Sequence, residues 1–173
     1  MVMRPWAVED APLLQQALVS SSEALSRWTP WVLEDHDDRS VIEERLRGYR
    51  NDFFAGEGAL YALLSPDEEA VWGGAGLYPR VGPGALEIGY WVASGVVGRG
   101  LATEATAALT EVAFTHFGVD RVEIHCSAPN VASNRIPEKL GYRHRETREG
   151  EAWASGDEKA DLIIWERSEL GDA

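Results

Sequence analysis

The sequence predicts a mixed α/β (α+β) sheet of about seven strands with helices on both faces, in one domain over residues 1–173. Three observations predict it. Short runs of β-branched, aromatic and other apolar residues stand both before and after the middle of the chain, as buried strands do. The middle itself, EIGYWVASGVVGRGLATEATAALTEVAFTHF from Glu87 to Phe117, passes from an apolar run (Ile88–Val92) through glycines into a long helical pattern. In that pattern Leu101, Ala105, Ala108, Leu109, Val112, Ala113 and His116/Phe117 recur on one helix face. A chain of 173 residues with 45% hydrophobic content is also long enough to bury a proper core.

In order, residues 2–6 read as a short strand ending at Pro5-Trp6. A helix opens near Glu9-Asp10 and carries Leu13, Leu14, Ala17 and Leu18. Ser20-Ser21-Ser22 is expected to loosen it, leaving Ala24–Trp31 as a second short segment closed by Pro30. The charged run Glu34–Asp38 reads as a solvated loop, because consecutive side chains do not converge on one ion. Asp38 serves there as N-cap to a helix from Arg39 to Phe54, with Ile42, Leu46, Tyr49 and Phe53 on one face and Gly56-Glu57-Gly58 as its stop. Ala59–Leu64 and Ala70–Leu77 pair as a hairpin around Ser65-Pro66-Asp67. Gly73-Gly74-Ala75-Gly76, inside the second strand, marks a bulge or a close packing point. Tyr78–Pro83 turns the chain into the Glu87 strand. Arg121–Cys126 is a strand, Asn130–Leu140 a helix stopped by Gly141. Tyr142–Trp153 and Lys159–Glu166 form a last hairpin around Ser155-Gly156-Asp157, and the terminal Gly171-Asp172-Ala173 reads as frayed.

Composition narrows the function classes. A net charge of −13 argues against nucleic acid as a partner. No run approaches the roughly 18–20 apolar residues of a membrane span. The N-terminus shows no signal-peptide pattern. Cys126 is the single cysteine, so no internal disulfide forms, and a cytoplasmic enzyme fits.

The strand–glycine–helix junction is a device for holding an anion. The first N–H groups of a helix have no internal partner and carry partial positive charge. Glycines let a phosphate approach them without a Cβ in the way. Three sites are built so. A P-loop requires a Gly-Lys-Ser/Thr that is not here. A dinucleotide fingerprint could be read from Gly98-x-Gly100-x-x-Thr103 with Glu123 downstream, but only one βαβ unit is found. A coenzyme A pyrophosphate loop matches Gly95-Val96-Val97-Gly98-Arg99-Gly100. A glycine loop without ligand stays open on this motif alone.

Further segments fall in a consistent order: Met3-Arg4-Pro5-Trp6, Trp28-Thr29-Pro30-Trp31, Asn130-Val131-Ala132-Ser133 with Glu138-Lys139-Leu140-Gly141-Tyr142, and Asp161-Leu162-Ile163-Ile164-Trp165. With EIGYWV…GRGLATEA these resemble the RimJ/RimL branch of the GNAT N-acetyltransferases over nearly the whole chain. Two positions depart from that branch: Gly95 stands for Gln/Arg, and Pro137 for an aliphatic helix former. The resemblance implies the GNAT fold, a mostly antiparallel twisted sheet whose two central parallel strands splay. It implies direct transfer of an acetyl group from acetyl-CoA to a primary amine, either a protein N-terminus or a small molecule, with no metal. It also admits a homodimer.

Such a reaction needs orientation, one base, one donor toward the thioester oxygen and one acid, but no covalent nucleophile. By the resemblance, Val97, Gly98, Arg99, Gly100, Leu101, Ala102 and Thr103 take the pyrophosphate. A free main-chain N–H near Trp91, Val92 or Ala93 meets the thioester. Asn130 holds the pantetheine arm, and the Ser133 hydroxyl protonates the sulfur. Both also suit plain helix capping. Glu87 is the first choice for the base, ahead of Glu149, Glu151 and a water chain. His125, His36 and His116 rank lower, since a single histidine more often packs or caps. Trp28, Trp31, Tyr90 and the Asp35–Asp38 loop border the acceptor. A non-catalytic CoA- or amine-binding module and a nicotinamide-dependent oxidoreductase are the alternatives. Pro137, lacking an N–H for the Ser133 carbonyl, is expected to kink its helix or delay its start to about Ile136.

Overall fold

The computed structural model describes residues 1–33, 38–154 and 158–168, with the side chains of Val32 and Leu33 left aside. The sequence expectations for Glu34–Asp37 (His36 included), for the Ser155–Asp157 turn and for the terminal tripeptide lie outside the described residues.

Seven strands form one sheet: β1 (Val2–Pro5), β2 (Ala59–Leu64), β3 (Val71–Tyr78), β4 (Ala85–Val92), β5 (Arg121–Ser127), β6 (Arg143–Trp153) and β7 (Lys159–Ser168), in the order β1-β2-β3-β4-β5-β7-β6. Every neighbouring pair is antiparallel except β4–β5. A parallel pair needs a crossover, and α3 (Leu101–Thr115) supplies it. Helices α1 (Ala11–Leu25) and α2 (Arg39–Ala55) cover one face, and α3 covers the other beside the shorter α4 (Val131–Lys139). The period-2 alternation of β2 divides two cores accordingly. Leu60, Ala62 and Leu64 pack with Leu14, Leu18, Ile42 and Leu46; Ala59 and Leu63 pack with Leu109, Ala113 and Ile124.

α1 corrects one expectation. It runs unbroken through Ser20-Ser21-Ser22 to Leu25, and only a 3-10 turn at Pro30–Leu33 follows. The hydroxyls of Ser20 and Ser22 fold back onto the carbonyls of Ala17 and Val19, so they do not compete with the helix. Ser21 is buried and accepts the Ser94 N–H at 3.0 Å, tying α1 to the loop after β4. α2 starts as expected, with the Asp38 carboxylate accepting the Ser40 N–H and Gly56 closing it at φ 71°.

The β3 glycines are close packing points. A Cβ at Gly73 would lie 2.2 Å from the Trp91 carbonyl oxygen, and one at Gly74 2.6 Å from the Trp91 indole nitrogen. The bulge falls just before them on the same strand: Leu63 pairs with Gly73 and Leu64 with Val71, so Trp72 is the extra residue.

The second correction concerns Pro137. α4 begins at Val131, capped by Asn130, and continues past Pro137 to Lys139. The helix tolerates the proline because the Ser133 carbonyl, deprived of its amide partner, receives the Tyr90 hydroxyl at 3.1 Å. The Pro137 carbonyl in turn receives the Tyr142 N–H at 3.0 Å, and Gly141 ends the helix at φ 74°.

Candidate active site

β4 and β5 pair only at Ala85↔Arg121, Leu86↔Val122 and Glu87↔Glu123. Beyond Glu87 the two strands part, and a cleft of about 440 Å³ opens between them. The Ala93 N–H donates to the Trp72 carbonyl on β3 at 2.9 Å. Main-chain groups alternate sides along a strand, so the Val92 and Tyr90 N–H groups point into the opening while that of Trp91 faces β3.

The glycine loop follows directly. After a 3-10 turn at Ser94–Val96, Gly98 and Gly100 take φ 78° and 81°, the left-handed region that a Cβ disfavours. Gly100 is the N-cap of α3, and no side chain caps that end. The first helical bond runs from the Glu104 N–H to the Gly100 carbonyl, leaving the Leu101, Ala102 and Thr103 N–H groups to an outside acceptor. A Cβ at Gly95, Gly98 or Gly100 would meet nothing within 4 Å, so the cradle is open. The Arg99 guanidinium lies 5.8 Å above the Trp72 ring.

On the other wall stands Ser133, the third residue of α4. Asn130 is the cap: its Oδ1 accepts the Ser133 N–H at 3.2 Å. The Ser133 hydroxyl lies 3.1 Å from the Tyr90 hydroxyl and 3.2 Å from Cys126 Sγ. Since a carbonyl only accepts, Tyr90 donates to the Ser133 carbonyl. Its oxygen is then left to accept from Ser133, and Ser133 to accept from the thiol. Burial pushes the Tyr90 phenol well above its usual range and raises the Cys126 thiol above its own, so each keeps its proton at neutral pH.

At the point where the strands part lies a charged cluster. Glu87, only 6% exposed, is gripped by Arg80 through Nε at 2.8 Å and Nη2 at 2.6 Å. Arg80 itself stacks over Tyr78. Glu123 accepts from Arg121 at 2.6 Å, Arg145 at 2.8 Å and His125 Nε2 at 2.8 Å. Burial works against its charge, but the His125 and Arg121 hydrogen bonds and the charges of Arg121 and Arg145 hold it below the usual carboxylate range. Glu123 is thus engaged within the protein, where the dinucleotide reading has it reach a ribose.

Trp28, Trp31, Tyr90 and Trp91 line the cleft with Arg45, Arg80, Glu87 and His125. Glu149 and Glu151 are exposed on β6 and do not reach it, and His116 is exposed at the end of α3. Sequence reasoning missed Arg80 and ranked His125 low. Alternation could have placed His125, because Ile124 points into the α3-side core and puts Glu123 and His125 on the opposite face, level with Glu87. Among the described residues, no cluster of His, Cys, Asp and Glu has the shape of a metal site, and no helix is long and apolar enough to cross a membrane.

One splayed parallel pair, a glycine-opened helix end at the split and a cleft between them make up the site. The profile of the acetyltransferase (GNAT) domain matches residues 1–143, and the chain belongs to that family. It is 26% identical over 136 residues to the Bacillus subtilis (strain 168) protein named "Putative ribosomal N-acetyltransferase YdaF", covering 78% of this chain and 73% of that one. Its fold is similar to RimL, a ribosomal L7/L12 alpha-N-protein acetyltransferase solved with coenzyme A (TM-score 0.86, 18% identity, 96% of this chain and 92% of that one). It is equally similar to the microcin C7 self-immunity acetyltransferase MccE, solved with acetyl-CoA and AMP (TM-score 0.85, 17% identity, 96% and 91%).

Proposed function

We propose that this protein transfers an acetyl group from acetyl-CoA to the α-amino group of a protein or peptide N-terminus. The observation that carries the reading is the β4–β5 split, which opens beside the uncapped end of α3. The RimL likeness favours an α-amine.

Acetyl-CoA fits this chain because two left-handed glycines leave the loop open to a bulky anion. The N–H groups of Leu101–Thr103, with Val97 and Arg99 alongside, would hold its pyrophosphate, and Asn130 would border the pantetheine arm. When bound it supplies an activated acyl group and a thiolate leaving group. The chain's own work is then electrostatic and positional. The Val92 N–H, fixed by a strand and paired with no neighbour on that side, is a preorganised donor for an oxygen that gains charge. Glu87 at the cleft floor is the base for the amine, held in place by Arg80. Ser133 is the acid, and the Cys126 thiol stands behind its oxygen as a second proton source. Trp28, Trp31 and Tyr90 frame the acceptor and exclude water. A cytoplasmic location and a homodimer accord with this reading.

Titration calorimetry with acetyl-CoA tests it: a defined binding isotherm is expected, and no heat at millimolar ligand refutes it. Thiol release should then be followed with a peptide carrying a free N-terminal serine, spermidine and kanamycin as acceptors. Tight CoA binding with no turnover on any amine would identify a binding module instead. Glu87→Gln is expected to cost roughly 10²–10⁴ in rate.

A further inference from the structure

We propose that His125 is the catalytic group on which the amine's proton comes to rest, with Glu87 passing it there and Glu123 orienting the ring. This rests on the acetyl-transfer reading and extends it by one proton step.

His125 lies on β5 two residues past the last β4–β5 pair, on the same face as Glu87 and Glu123, and it lines the cleft. Its side chain is 18% exposed. Glu123, fully engaged by Arg121, Arg145 and the ring, is a carboxylate and can only accept. The ring nitrogen 2.8 Å from it, Nε2, therefore carries the hydrogen. That fixes the tautomer and makes Nδ1 the basic nitrogen, the arrangement in which a carboxylate prepares an imidazole for proton transfer.

Nδ1 lies 3.7 Å from Glu87 Oε2. Both atoms are acceptors in this state, and two acceptors stand apart unless a proton lies between them. A proton taken from the acceptor ammonium by Glu87 Oε2 makes an O–H that donates to Nδ1. Its transfer restores the carboxylate and leaves an imidazolium bonded to Glu123 through Nε2 and to Glu87 through Nδ1. One N–H bond of the amine breaks and one N–H bond of the ring forms. The proton leaves to solvent through the cleft before the next turnover. The charged groups around the ring are Glu87 with its partner Arg80, above Tyr78, from the β3–β4 side; Glu123 and Arg121 on β5; Arg145 on β6; and Glu166 on β7, bonded to Arg145, with the neutral thiol of Cys126 also on the cleft. Of these, the two carboxylates facing the ring nitrogens, Glu87 and Glu123, offset its new charge.

Two measurements decide it. In ¹⁵N-histidine spectra of the acetyl-CoA-free protein, His125 should show Nε2 protonated and Nδ1 bare at neutral pH. Glu123→Gln should move both signals toward the tautomer-averaged position. A protonated Nδ1 in the neutral ring would overturn the proposal without touching the acetyl-transfer reading. In kinetics, with whichever amine of the panel turns over, His125→Gln should lower kcat at least 100-fold and abolish the ascending limb of kcat/KM against pH. KM for acetyl-CoA should stay within twofold, and imidazole should partly restore the rate of His125→Ala. A His125→Gln enzyme that keeps both its rate within threefold and the limb would refute the relay alone. A wild-type protein that binds no acetyl-CoA would refute the parent reading and the relay together. If His125→Gln does not fold, the tautomer measurement still decides.

Discussion

Replacing Tyr90 by phenylalanine removes one oxygen and exposes how α4 accommodates its internal proline. In the folded chain the Tyr90 hydroxyl donates to the Ser133 carbonyl, whose helical partner would have been the N–H that Pro137 lacks. Deleting the hydroxyl leaves a half-buried carbonyl without its donor, a loss of about 1–2 kcal/mol. In a chain of this size that lowers Tm by roughly 2–8 °C. Pro137→Ala restores an amide at position 137 that points at the same carbonyl. In that background Tyr90→Phe should cost at least about 1 kcal/mol less, because the carbonyl keeps a partner. The cycle of four proteins is read by urea unfolding, with thermal unfolding as a cross-check. Additivity of the two substitutions within about 0.5 kcal/mol would refute the compensation.

The glycine loop is tested by contrast: Cβ atoms at Gly95, Gly98 and Gly100 all meet open space, but only the last two have positive φ. Gly98→Ala and Gly100→Ala should each cost roughly 1–2 kcal/mol of stability and weaken acetyl-CoA binding tenfold or more by calorimetry, while Gly95→Ala leaves both unchanged. The buried Glu123 makes a pH-dependent contribution. Its folded pKa is held below the ordinary 4.5, so its stabilisation is complete above that value and is lost as pH falls through the depressed one. Wild type should exceed Glu123→Gln in urea-unfolding stability at pH 7, and the gap should narrow as pH falls below 4.5; a constant gap would contradict the ion-pair account.

What could be read from the sequence was local. Each strand, the Asp38 cap, the Gly56 and Gly141 stops and the glycine loop show themselves within a few residues, because turn chemistry and periodicity act at that range. The errors have one physical form: a distant partner changed what a local rule allowed. Ser20–Ser22 look like helix breakers until Ser21 is seen accepting the Ser94 N–H from 73 residues away. Pro137 looks like a break until Tyr90 is seen at its missing bond, 43 residues before Ser133. Glu87 could be named as a candidate base, but its grip by Arg80 and its approach to His125 depend on which strands neighbour one another.

The location of the site follows from the single parallel pair. A parallel connection must leave the end of one strand, cross a face of the sheet and return to the start of the next. The crossover helix therefore begins beside the end of β4, and its unpaired N–H groups face the same end of the sheet as the β4 main chain. Had β4 and β5 stayed paired to their ends, the Val92 N–H would be spent on the ladder and no cleft would exist. Pairing stops after Glu87↔Glu123, and the residues there are two carboxylates. Like charges on adjacent strands are held together only because Arg80 takes one and Arg121 and Arg145 take the other. That charged seam separates the paired from the unpaired half of β4, so the backbone that could receive a developing negative charge and the side chains that could receive a proton stand at the two ends of one five-residue strand segment, Ile88 to Val92.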